Sequence, residues 1–286
     1  MKTSLKGKTV VVTGAARGIG EHVARLAAER GARVGLIGLE PDRLRSLALE
    51  LGPSTEWREV DVRNSNDLKS AIDDCAAALG GIDFLVANAG VVAYGTIRQT
   101  EDTSFERVLD VNVNGVFRTL KHATPHLQRS RGHVAVIASA LSFLALPSMS
   151  SYGASKAAVE ALGLTYRQEV AHLGISVSLV HPSWIDTDLV RGAEADLPSF
   201  RKLRDGLPYP GNVTTTVNQA ADAIVRGLER RQRRVYVPRA VVGANVAQGL
   251  VNSSVMWPWF RRFAGKAVPN IEREVDALGR QDQIRT

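Results

Sequence analysis

The 286 residues carry 44% hydrophobic and 23% charged side chains, a globular balance that excludes disorder of the chain as a whole. One cysteine, Cys75, excludes an intrachain disulfide and a thiolate metal cluster, so no metal site is expected. The net charge is +7, but the basic residues of the first 220 positions are interspersed with acids. No zinc-finger spacing or aromatic platform accompanies them, so no nucleic-acid partner is expected.

The start, MKTSLKGKTVVVTG, runs directly into a strand and a glycine turn, unlike a signal peptide. No stretch reaches the ~18 consecutive apolar residues of a spanning helix. A cytoplasmic location is the expectation. Lys8 to Thr13 is a β-branched run, followed by GAARGIG and an amphipathic helix over Glu21 to Arg30. Strand, glycine turn and helix open a βαβ unit. Further short apolar strands are predicted at 34–37, 56–60, 84–87, 134–138, 177–180 and 235–237, with helix-length segments between them. The predicted fold is α/β: a single Rossmann-like, doubly wound parallel sheet flanked by helices.

The first turn places Gly14, Arg17, Gly18, Ile19 and Gly20 where a helix start presents free N–H groups to phosphate oxygens. A purely structural turn would read the same way. The second strand ends at Gly38, where an acid commonly binds the adenosine ribose in a nicotinamide-dinucleotide enzyme. Arg17 suits a 2′-phosphate instead, although Glu40 is near enough to repel a phosphate or to accept ribose hydrogen bonds. NADP(H) is therefore preferred and NAD(H) stays possible. Asp61 and Val62 follow the third strand and suit an adenine edge and face, or Asp61 caps a turn. Asn88, Ala89 and Gly90 close the fourth strand with small residues and a bracing amide.

One helix is predicted over Ser104 to Leu127 and contains Asn112, which either holds a water or satisfies buried backbone groups. Ser139 ends the fifth strand thirteen residues before Tyr152. On a helix over Ser151 to Leu173, Tyr152 and Lys156 are four residues apart and share a face. The nearby ammonium is expected to favour the phenolate, bringing Tyr152 toward proton exchange near neutral pH.

Taken together, TGAARGIG, Asp61, Asn88–Gly90, Asn112, Ser139 and YGASK closely resemble the classical short-chain dehydrogenase/reductase family, over roughly residues 6 to 238. The resemblance implies that Ser139 orients a substrate carbonyl and Tyr152 acts as general acid or base. It also implies that Lys156 lowers the tyrosine pKa and binds ribose, while Asn112 holds a relay water. In HPSWIDTDL, Pro182, Ile185 and Thr187 match the family's nicotinamide-contact segment, whereas Ser183 replaces a glycine. A homotetramer or homodimer is expected, with the two long helices available for subunit pairing.

Val92, Tyr94, Leu141, Phe143, Met149, Trp184 and Leu189, with Ser139, suggest a mostly apolar substrate pocket without a fixed cation. The expected substrate is a hydrophobic or aromatic ketone or alcohol. Residues 191–211 form a substrate lid or an ordinary loop. The core domain is 1–238, and 239–286 is a C-terminal extension that covers the pocket, meets a subunit, or touches a membrane through Trp257, Trp259 and Phe260 beside Arg261, Arg262 and Lys266. Membrane contact is the less favoured of these. Two other readings are a 3-oxoacyl carrier-linked reductase, with Arg226 to Arg239 greeting an acidic carrier, and a non-catalytic dinucleotide-binding regulator. A sugar epimerase of the extended branch also uses YxxxK, but the GxxxGxG turn and modest C-terminal region favour the classical branch.

Overall fold

A computed structural model describes residues 3–279; positions 1–2 and 280–286 of the two expected regions lie outside them. Strand β1 (Thr9–Thr13) is buried along its whole length, as a β-branched run covered on both faces must be. The chain then alternates through α1 (Gly18–Glu29), β2 (Arg33–Gly38), α2 (Pro41–Leu51), β3 (Thr55–Glu59), α3 (Ser65–Leu79) and β4 (Phe84–Ala87). Where one helix is predicted over 104–127, the structure has α4 (Asp102–Leu109), a π-helical turn (Asp110–Asn114) and α5 (Gly115–Ser130). The difference matters locally: a π turn re-aims side chains, and Asn112 lies in it, fully buried.

Strand β5 (His133–Ile137), helix α6 (Ser150–Glu169) and strand β6 (Ser176–Pro182) follow. Next come β7 (Trp184–Asp186), α7 (Asp188–Asp196), α8 (Pro198–Asp205), β8 (Thr214–Thr216), α9 (Val217–Glu229) and β9 (Arg234–Val237). The extension contains α10 (Val241–Val246), α11 (Gln248–Val251) and the 22-residue α12 (Trp257–Leu278).

Seven strands form one parallel sheet in the order β3-β2-β1-β4-β5-β6-β9. The order reverses between β1 and β4, and the crevice beyond their C-terminal ends is where open α/β sheets bind ligands. Because side chains alternate along a strand, Val10 and Val12 join α1 and α9 in one core, while Val11 joins α3, α5 and α6 in the other. Cys75 lies in this second core, as expected for a packing cysteine.

The segment 191–211 is largely helical. Helices α7 and α8 bury Ala193, Leu197, Phe200 and Leu203 against Ile271 and Val275 of α12. Burying the leucine, isoleucine, valine and phenylalanine side chains stabilises the contact by about 1.5–3 kcal/mol each. Glu274 also accepts from the backbone N–H (3.0 Å) and hydroxyl (2.6 Å) of Ser199. On the other side, Glu272 accepts from Thr96 (2.9 Å) and Arg98 (2.7 Å). Helix α12 thus bridges the 191–211 segment and the loop after β4.

Within the arginine run 226–239, three side chains are tied to the protein itself. Arg226 pairs with Asp222, Arg234 with Glu160 (3.0 Å), and Arg231 donates to the carbonyls of Arg131 (2.9 Å) and Gly132 (3.1 Å) just before β5.

Candidate active site

The glycine turn after β1 is as tight as backbone permits. Gly14 has φ +65°, and a Cβ on it would lie 2.8 Å from Ala89 Cα. A Cβ on Gly20 would lie 2.2 Å from the Gly14 carbonyl and 2.7 Å from Asn88 Nδ2. Asn88 fastens this turn by donating to the carbonyls of Thr13 (3.0 Å) and Gly14 (3.1 Å). Arg17 precedes α1 without capping it by its side chain, so the first-turn N–H groups are left for another acceptor. Thr187 stands over the turn, its methyl 3.4 Å from where a Gly18 Cβ would be.

At the next strand end, a Cβ on Gly38 would meet nothing nearer than 3.6 Å. Beside it, Arg17 binds Glu40 through Nε (2.7 Å) and a second nitrogen (2.5 Å), and Arg43 Nε reaches the same carboxylate at 3.1 Å. The Glu40 hydrogen bond raises the Arg17 pKa despite burial, with Asp188 adding to the effect. Asp61 is similarly engaged: its carboxylate accepts from Arg63 Nε (2.8 Å), a terminal nitrogen (2.6 Å) and the backbone N–H (2.9 Å). Burial pushes the Asp61 carboxyl up, but the Arg63 hydrogen bonds outweigh it and the net shift is downward. Val62 is buried behind it in the core.

The opposite end of the crevice gathers the reacting candidates. Ser139 caps the short turn Ala140–Ser142, its Oγ accepting from Leu141 N at 3.1 Å. Ser142 Oγ donates to the Lys156 carbonyl at 2.9 Å, joining this turn to α6. Lys156 is 3% exposed; its Nζ donates to the Ile137 carbonyl (2.9 Å) and lies 5.6 Å from the Tyr152 ring centroid. Burial lowers the Lys156 pKa to about 8. Burial raises that of Tyr152, and a hydrogen bond from Ser139 only partly opposes the rise. This differs from the expected depressed phenol. Desolvation is the largest influence on both groups, and at Tyr152 it outweighs the Ser139 hydrogen bond.

Asn112 donates to the Val91 carbonyl (2.9 Å) and to Ser155 Oγ (2.9 Å), and accepts from Val91 N (2.8 Å). Both amide hydrogens and one of two oxygen lone pairs are therefore used for structure. The space over Gly90 separates that oxygen from Lys156: a Cβ there would be 3.3 Å from Asn112 Oδ1 and 3.6 Å from Lys156 Nζ. Ala89 packs beside the second core.

Val92, Tyr94, Leu141, Met149 and Trp184 share one apolar cluster with Tyr152. Phe200, from the lid segment, sets its ring edge against both Tyr94 (5.1 Å) and Trp184 (5.7 Å). Phe200 and Phe263 of α12 went unseen in the sequence, where neither has a motif neighbour. Phe143 is placed elsewhere, 5.6 Å from His181 in a cluster with Val241, and Leu189 lies outside both clusters on α7. Pro182 ends β6 and Ile185 is buried in β7. Ser183 does not have a left-handed backbone, so the missing glycine imposes no strain there. Behind the site, buried His181 hydrogen-bonds Glu160 (2.6 Å), one turn beyond Lys156, and stacks on Tyr236 (5.0 Å).

The crevice fits an elongated, phosphate-bearing dinucleotide: a helix start at a close turn, and at Gly38 and Gly90 no side chain to hold a ligand away from the ends of β2 and β4. The profile of the short chain dehydrogenase family matches residues 8–198. The chain belongs to the short-chain dehydrogenase family. It is an oxidoreductase of that family, whose members use NAD(P) and act on small molecules. Among curated short-chain dehydrogenase relatives, 11-beta-hydroxysteroid dehydrogenase 1A of Arabidopsis thaliana is 34% identical over 246 residues, covering 82% of this chain and 69% of that one. 11-beta-hydroxysteroid dehydrogenase A of Sesamum indicum is 34% identical over 241 residues (81% and 68%). Nodulation protein G of Rhizobium sp. (strain N33) is 35% identical over 184 residues (64% and 75%).

Proposed function

We propose that this dehydrogenase interconverts a hydrophobic ketone and its secondary alcohol, on a rigid polycyclic or aromatic substrate of steroid-like character, with NADP(H) preferred over NAD(H). The observation that carries the reading is the convergence of Ser139, Tyr152 and Lys156 with an uncharged wall of Val92, Tyr94, Met149 and Trp184. The names of the plant relatives agree with such a substrate.

Gly14, Gly18, Ile19 and Gly20 hold the pyrophosphate at the start of α1, with Thr187 above them. Gly38, Asp61, Val62, Asn88 and Ala89 border the adenosine half. Gly90, Lys156, Pro182 and Ile185 border the nicotinamide half. Hydride exchange with the carbonyl carbon is the chemistry a bound nicotinamide dinucleotide supplies. Ser139 Oγ donates to the substrate oxygen and fixes its direction. Tyr152 gives its phenolic proton to that oxygen in reduction and takes it back in oxidation. Lys156 supplies a cation beside the phenol, and the remaining Asn112 lone pair holds a water that returns the proton. Arg17 and Arg43 provide two guanidinium groups for a 2′-phosphate, opposed by the Glu40 carboxylate that pairs with both and, from further away, by Asp188. Helices α5 and α6 are the proposed contact in a homodimer or homotetramer.

The test is oxidation of NADPH by purified protein against apolar polycyclic ketones, with Tyr152→Phe beside the wild type. The variant is expected to lose turnover by about 10²–10⁴-fold while binding NADPH as before. Cofactor binding with no ketone turned over would overturn the reading in favour of a nucleotide-sensing protein.

A further inference from the structure

Half of the exposed large apolar side chains among the described residues lie between 242 and 259: Val242, Val246, Leu250, Val255, Trp257 and Trp259. Trp257 is 63% and Val255 75% exposed. From Arg239 to Ile271 the sequence has no Asp or Glu, while Arg239, Arg261, Arg262 and Lys266 are all exposed. No carboxylate pairs with any of these four among the described residues, whereas Arg30, Arg63, Arg204 and Arg234 elsewhere in the chain are all ion-paired. On α12, Trp259, Arg262 and Lys266 are spaced i, i+3, i+7 and so lie on one face. Trp257 and Arg261 project from the other side of its first turns and are exposed as well, and only further along the helix are Ile271 and Val275 carried into the cluster of Leu197 and Phe200. Indole rings flanked by unpaired cations, on a surface without acids, match the headgroup layer of an anionic bilayer.

We propose that this face, built from α10, α11 and the first half of α12, docks the protein on an anionic lipid surface without spanning it. No helix among the described residues is long and apolar enough to cross a membrane. A second copy of the chain is the poorer occupant. A two-fold contact sets a patch against itself, which would bring Arg261, Arg262 and Lys266 toward their own duplicates with no acid between them. The face also continues into the site: Trp259 stacks on Phe263 (5.0 Å), and Phe263 belongs to the cluster of Phe200, Trp184 and Tyr152. On the ketone reading proposed above, docking sets the outer wall of the pocket against the phase in which an apolar substrate dissolves.

Co-sedimentation of the full chain with vesicles, without cofactor or ketone, tests docking independently of the reaction. Binding is expected to vesicles of phosphatidylcholine mixed with phosphatidylglycerol, to weaken on phosphatidylcholine alone, and to fall with added salt. The triple variant R261S/R262S/K266S is expected to lose about 100-fold in partition, from about one power of five per cation. W257A/W259A is expected to lose at least about tenfold, with an unchanged circular dichroism spectrum and melting profile showing that both variants fold. Failure to bind anionic vesicles, or equal binding by wild type and both variants, would overturn the proposal. So would a tryptophan variant that splits an oligomer in size-exclusion chromatography while vesicle binding stays the same, because the face would then lie between copies.

Discussion

Replacing Lys156 by methionine removes a charge that the fold buries against its preference. Its ordinary pKa of 10.5 is lowered to about 8 by burial. At about 1.36 kcal/mol per pH unit, holding the ammonium in the folded state at neutral pH costs about 3 kcal/mol. Methionine has comparable length and no charge, but it forfeits the 2.9 Å donation to the Ile137 carbonyl, worth about 1 kcal/mol. Lys156→Met should therefore be more stable than wild type by about 2 kcal/mol at pH 7, a rise in Tm of roughly 4 °C for a chain of this size. The pH dependence is the sharper check. Between pH ~8 and ~10.5 the unfolded chain keeps the lysine proton that the folded chain has released, so wild-type stability gains from rising pH across that window. Below pH ~8 the full penalty remains. Urea unfolding of both proteins across this range should show the advantage of the variant shrinking and then reversing by about 1 kcal/mol at the alkaline end. Tyrosine and cysteine titrations are common to both proteins and cancel in the difference. A variant less stable at pH 7, or a difference that does not change with pH, would refute the assignment of burial as the dominant influence on Lys156. The same variant is expected to lose ketone turnover.

Two further outcomes follow from the cofactor crevice. Glu40→Gln removes the acid that ion-pairs with both Arg17 and Arg43; a carboxylate ~6 Å from a dianionic phosphate in a water-like dielectric opposes it by about 1.4 kcal/mol. NADPH should bind the variant about tenfold tighter with NADH nearly unchanged, measured by fluorescence titration, whereas a tenfold loss of NADH would make Glu40 the ribose partner. Gly20→Ala, whose Cβ would sit 2.2 Å from a backbone oxygen, should cost about 3 kcal/mol and lose cofactor binding. Gly38→Ala, with its nearest neighbour at 3.6 Å, should change stability by less than ~1 kcal/mol, and equal effects in thermal melts would refute the packing argument.

Much of the crevice was legible in the sequence because its requirements are local. A β-branched run declares a buried strand by period, and the turn at Gly14–Gly20 needs residues without a Cβ wherever its backbone segments touch. The four-residue spacing of Tyr152 and Lys156 places them on one helical face in any fold that keeps the helix. These features set an α/β sheet, the glycine turn at its β1 end and the helix face that carries Tyr152 and Lys156.

Other properties depend on which distant segments meet. The sequence from 104 to 127 reads as one helix, but packing inserts a π turn that buries Asn112 beneath Val91. Phe143 lies between Ser139 and Tyr152 in the chain yet packs on His181, because α10 offers an apolar partner on that side. Spacing suggested a phenol acidified by its lysine, whereas desolvation of both groups reverses the order of their shifts. The sequence puts Glu40 near Arg17, but only the fold makes the two an ion pair that Arg43 joins. Nothing near Phe200 or Phe263 in the sequence announces that they join Tyr94, Trp184 and Tyr152 in one apolar cluster; the docking of α12 on α8 brings them there. Periodicity and turn chemistry by themselves determined the strands, the glycine turn and the reactive helix face. Ion pairing, burial and the outer wall of the pocket were decided only by the tertiary structure, since each is an energy of contact between segments far apart in the chain.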